Sequence, residues 1–192
     1  MNTEASKRSH LTYININDSD HFSIFCESLF SHFNALLPLH NNKLVILCIG
    51  TDRATGDSLG PLIGYKLKET IYKNVSLYGN LDEPVHAKNL HDIITTIKYN
   101  HPNALIIAID ACLGSMQNVG CICIGKGSIR PGAGVKKELP PIGDLHITGI
   151  VNFSSFMNMV VLQNTRLSIV MKMADIIASG IHHCLFRYYK GL

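Results

Sequence analysis

The stretch KLVILCIGTDRATGDSLGPLIG, residues 43–64, decides the fold. It opens as a continuous apolar run ending on Gly50, the pattern of a strand buried on both faces. A polar loop leads to Gly60-Pro61, after which Leu62, Ile63, Leu67 and Ile71 recur at helical spacing, with Pro61 tolerated in the first turn. Glycine-rich turns between a strand and a helix ordinarily cradle phosphate. The spacing here is wrong for that: five residues separate Gly50 from Gly56, and Asp57 stands where a P-loop carries its lysine. The G-x-G-x-x-G dinucleotide fingerprint is absent too. A carboxylate at such a mouth repels phosphate, so Asp57 needs another explanation.

Outward from this stretch the chain alternates strands and helices. VSLYGN (75–80) reads as a second, weaker strand, AKNLHDIITTIKYN (87–100) as a helix, and ALIIAID (104–110) as another buried strand. NVGCICIGKG (118–127) and LHITGIVN (145–152) supply further strands, and residues 154–189 read as mostly helical with a break near Asn164. Upstream, Phe22, Phe25, Leu29, Phe30, Phe33, Leu36 and Leu37 form an apolar stripe, so a helix is expected from about residue 19. Alternating elements of this kind make βαβ units and a mostly parallel sheet covered on both sides. The expected organisation is one α/β domain over residues 1–192, with residues 1–41 as a helical segment packed on it.

In such sheets the ligand crevice lies beyond the carboxyl ends of the strands. Asp57 lies in the loop after the first strong strand, and Asp110 is expected to close the strand LIIAID. Two acids converging on one crevice cannot both ionise cheaply, so one keeps a proton while the other serves as a base. Such a pair activates water against an amide carbonyl, or holds a divalent metal through hard oxygen ligands. The competing explanation is structural: Asp57 caps the following helix, and Asp110 satisfies backbone amides.

Composition narrows the classes. Hydrophobic residues make up 46% and charged residues 16%, which suits a compact protein and opposes disorder. A net charge of +3 does not point to nucleic acid. The N-terminal residues show no apolar signal-peptide core, and no uninterrupted apolar run approaches the ~20 residues of a membrane span. The expected location is the cytoplasm, where six cysteines stay reduced and behave as ordinary core residues.

The glycine- and proline-rich segment GKGSIRPGAGVKKELPPIGDLHITG (125–149) carries Arg130, Lys136 and Lys137. It reads either as a solvated basic loop or as a cationic wall that captures substrate. Cys112 is a possible nucleophile with no histidine beside it in sequence, and Cys121-x-Cys123 is weak as a metal motif. His182 and His183 are assigned to the helix dipole near a helix end.

GTDRATGDSLGP, IIAIDA and GSIRPGAGVKKEL, in this order over residues 43–178, resemble the germination proteases of spore-forming bacteria, and most closely the short YyaC-type sporulation proteins. Both groups are similar in fold to the hydrogenase maturation endopeptidases. The resemblance implies a three-layer αβα sandwich with a mostly parallel sheet, Asp57 and Asp110 as the catalytic pair, and Arg130, Lys136 and Lys137 as substrate-binding residues. It extends to a metal set of Asp57, Asp110 and His146, the last of which reads equally as a strand histidine bonded to a carbonyl. The chain departs from both families at Thr51, where they carry Asn, and from the hydrogenase endopeptidases at Gly56, where an acid stands.

The function expected is a sporulation-associated endopeptidase of the developing spore that hydrolyses a spore protein. It would need no cofactor, or one divalent metal. The alternative is a non-catalytic protein that binds a peptide or metal on the same fold. Partners are a protein or peptide substrate and possible copies of the chain itself, not nucleic acid or membrane.

Overall fold

The computed structural model describes residues 11–69, 72–132 and 139–191. Six strands, β1 (Leu11–Asn15), β2 (Leu44–Cys48), β3 (Val75–Tyr78), β4 (Leu105–Gly114), β5 (Cys121–Lys126) and β6 (Leu145–Phe153), form one sheet in the order β1-β5-β6-β4-β2-β3. The pairs β2–β3, β2–β4 and β4–β6 are parallel, while β5 runs antiparallel to both β6 and β1. The fold is therefore α/β, with a mixed, mostly parallel sheet.

The helices are α1 (His21–Leu36), α2 (Leu59–Leu67), α3 (Leu90–Asn100), α4 (Asn158–Gln163) and α5 (Leu167–Lys190). Side-chain alternation splits the core of the sheet in two. Leu44, Ile46, Ile107 and Ile109 face α1, α2 and α5 through Phe25, Leu29, Ile63 and Ile177. Val45, Leu47, Ile49 and Ala108 face α3 through Leu90, Ile94 and Ile97. Because β2 is apolar at every position, it can only be a central strand, and all five of its residues are buried. Ile71, read as continuing α2, lies outside the described residues.

Three expectations need correction. Residues 11–15 form an edge strand rather than part of a helical segment, because β5 offers them an open antiparallel edge. Asp110 does not close its strand: β4 runs on to Gly114, held by β6 after β2 has ended. His182 and His183 lie well before the end of α5, whose last turn carries Arg187 and Lys190. His183 instead packs edge-on against Phe22, with ring centres 6.2 Å apart.

Helix α5 is long and apolar enough by composition to cross a membrane. Its apolar residues Val170, Met173, Ile177, Ile181 and Leu185 are buried in the core against α1 and α2.

Candidate functional site

The chain order places a topological switch between β2 and β4: β2 connects outward to β3, and the chain returns through α3 to β4 on the opposite side of β2. The last contact of the β2 segment with β4 is the Ile49 N–H donating to the Ile109 carbonyl (2.7 Å). Asp110 is the next residue on β4, so its side chain stands where the neighbouring strand has stopped.

Gly50 makes the turn that brings Asp57 back to this point. Its φ of 140° lies where side chains strain, and a Cβ there would overlap the Asp57 carbonyl oxygen. The Gly50 N–H donates to the Val85 carbonyl (2.8 Å), and the Thr51 N–H to the Asp57 carbonyl (3.0 Å). A 3-10 turn over Thr55–Ser58 then presents Asp57, with no side-chain cap on α2. The capping explanation for Asp57 does not hold.

Both acids line one cavity of about 270 Å³. Asp110 is 6% exposed, and its Oδ1 accepts the Ala111 N–H (2.9 Å). Burial first, and then the nearby Asp57 charge, hold its carboxyl well above the usual range, against the pull of the Ala111 and Gly132 amides. Burial pushes Asp57 up to about 6, opposed by the Thr51 amide and by the charge of His86. Near neutrality Asp57 is largely ionised while Asp110 keeps its proton: one shared proton on two carboxyls.

The remaining predicted residues divide. Arg130 is exposed, and the adjoining Pro131 and Gly132 line the cavity. Lys136 and Lys137 lie outside the described residues. His146 is not brought to the acids: its Nδ1 pairs with the Gly127 carbonyl (3.0 Å) over β5. Among the described residues no three His, Cys, Asp or Glu side chains stand in metal-binding geometry. Burial pushes the Cys112 thiol up to about 11, which leaves it protonated and a poor nucleophile. Cys121 and Cys123 are free thiols buried beside it.

Sequence reasoning missed His86, Arg53 and Lys88, all of which line the cavity. The signal for His86 is nonlocal. It follows Val85, which bridges to Ile49 across the sheet, so the loop after β3 lies against the loop that carries Asp57.

The architecture and the acid-lined crevice define an α/β protein of maturation-protease fold. The profile of the family described as "Protein of unknown function (DUF1256)" matches residues 13–180, and the chain belongs to that family. It is 56% identical over 138 residues, 72% of this chain and 67% of the relative, to the "Uncharacterized protein YyaC" of Bacillus subtilis (strain 168). In fold it is similar to the nickel–iron hydrogenase maturation protease HycI from Thermococcus kodakarensis KOD1, with a TM-score of 0.52 and 18% identity, over 82% of this chain and 97% of that one.

Proposed function

We propose that the protein is an endopeptidase that hydrolyses a peptide bond with the Asp57–Asp110 pair. The observation that carries this reading is the pair itself: two acids from separate elements in one cavity, one held protonated by burial and by its neighbour. Ionised Asp57 takes a proton from water, and the oxygen attacks the amide carbon. Protonated Asp110 donates to the carbonyl oxygen as negative charge develops there. An ordinary aspartate would be too weak a base for this, whereas one near 6 is matched to neutral pH. Met159 and Leu162 from the α4 wall suit the apolar side chains of an extended segment.

The germination-protease resemblance points to a protein of the developing spore as substrate, with the enzyme in the cytoplasm. No step here runs through a metal, since the acids gather no third ligand of the predicted set.

The test is cleavage of a spore-protein extract, read by mass spectrometry, with the wild type, Asp57→Asn and Asp110→Asn. Each substitution is expected to lower cleavage roughly 10²–10⁴-fold, the range for one acid–base group. Full cleavage by both variants would reject the mechanism. Binding of peptides by a wild type that never cleaves them would leave a binding protein on the same fold.

A further inference from the structure

Among the described residues, Nδ1 of His86 is the one buried side-chain nitrogen or oxygen without a hydrogen-bond partner. Buried polar atoms left unpaired in a fold are rare and ask for a cause. This one belongs to a residue lining the cavity that contains Asp57 and Asp110.

The backbone around it is tightly fixed. The His86 N–H donates to Asn89 Oδ1 (2.8 Å), and the His86 carbonyl accepts the Asn89 and Leu90 N–H groups (3.1 and 2.9 Å). The side-chain amide of Asn89 donates to the Pro84 carbonyl (3.0 Å), closing the loop on itself. On the other side, the Gly50 N–H binds the carbonyl of the preceding Val85. The fold thus orients His86 through its main chain and leaves the inner ring nitrogen unused. A ligand in the cavity would supply the missing partner.

We propose that His86 is a third catalytic group of this cavity, contacting the substrate through Nδ1 and protonating the leaving nitrogen. The proposal rests on the peptidase reading above. When the tetrahedral intermediate collapses, the C–N bond breaks and its electron pair stays on nitrogen. That nitrogen takes the Nδ1 proton of the imidazolium, and the oxyanion side returns its proton to Asp110. The proton that Asp57 drew from water then passes to the ring. The net change is one water across the amide bond, hydroxyl on carbon and hydrogen on nitrogen, with all three side chains restored. Asp57 takes the first proton and cannot also donate until it has given that proton up, so a separate donor removes a delay from the cycle.

The charged groups that share the cavity with the ring are Asp57 and Asp110, Arg53 from the loop after β2, and Lys88 two residues on. The imidazolium in turn favours the ionised form of Asp57, which is the form the base requires.

The experiment uses the full chain and a mixture of synthetic peptides of randomised sequence, with cleavage read by mass spectrometry across pH. His86→Gln keeps a hydrogen-bonding side chain but carries no transferable proton. It is expected to lower kcat/KM by roughly 10²-fold, the low end for a general acid, with loss of the wild-type alkaline limb and little change in Tm. Added imidazole should restore part of the activity of His86→Ala, which a purely structural role would not allow. Activity of His86→Gln within twofold of wild type with an unchanged pH profile, while Asp57→Asn and Asp110→Asn are inactive, would overturn the role of His86 and leave the peptidase reading standing. Cleavage by the wild type no greater than by Asp57→Asn would overturn both. Loss of the folded state in both His86 variants, seen by circular dichroism, would mark the ring as structural and also overturn the assignment.

Discussion

Burial acts on Asp57 and Asp110 in one direction, toward the protonated form. Both carboxyls therefore bind protons more tightly folded than unfolded. Between the unfolded range and the folded values the native state holds more protons, so stability falls as pH rises. For Asp57 the window runs from its usual 3.8 to about 6, and for Asp110 the loss continues above that. The acids that serve the site thus weaken the fold at neutral pH. Asp57→Asn should be more stable than wild type at pH 8 by on the order of 1–3 kcal/mol, since a tenfold change in proton affinity is worth about 1.4 kcal/mol. Asp110→Asn should gain in the same direction, because Asn Oδ1 still accepts the Ala111 amide. Urea unfolding at pH 8 and below pH 4 checks this: the advantage should shrink in acid, where the wild-type carboxyls are already neutral. A variant less stable than wild type at pH 8 would show that the carboxylate holds the loop together.

Packing between elements turns on a few small residues, of which Gly180 in α5 is the clearest. A Cβ there would overlap the ring of Phe25, a fully buried residue of α1. Ala for Gly inside a helix ordinarily stabilises by about 0.5–1 kcal/mol. At Gly180 overpacking should outweigh that gain, and Gly180→Ala is expected to destabilise by about 1–3 kcal/mol, measured by thermal unfolding. A rise in Tm would mean that α1 gives way easily. The same two helices show what was legible in the sequence. The stripe from Phe22 to Leu37 announces α1, because one face of a helix must be apolar to pack and the spacing survives in the chain. Strand β1 carries no such mark: only Ile14 of its five residues is buried, and its conformation comes from pairing with β5. Asp57 and Asp110 could be read because each adjoins a strongly apolar strand. The end of β4 could not, because β6 decides it from more than thirty residues away. His86, Arg53 and Lys88 share no local spacing with the acids, and only the Ile49–Val85 bridge brings their loops together.

Across the whole molecule a net charge of +3 is modest, and its local arrangement at the cavity matters more. Two acids lie within, one of them largely neutral, while Arg53 and Lys88 are exposed residues of the lining. Arg130 directly precedes the lining residues Pro131 and Gly132. None of these three cations forms an ion pair among the described residues. Their guanidinium and ammonium groups are therefore available to carboxylates of an arriving chain, and peptides with Asp or Glu flanking the cleaved bond should be preferred over those with Lys or Arg. Raising salt from ~0.01 M to ~1 M shortens the Debye length from about 30 Å to about 3 Å, so this preference should collapse through a rise in KM for acidic peptides. Arg130→Ala should weaken binding of an acidic peptide by about 1–3 kcal/mol, the scale of one charged hydrogen bond. Because the Arg130 side chain is exposed and unpaired, Tm should hardly move. Binding isotherms and melting curves of the same two proteins separate the cases: equal loss of stability and affinity makes Arg130 a structural residue, and loss of affinity alone makes it part of the substrate-binding wall.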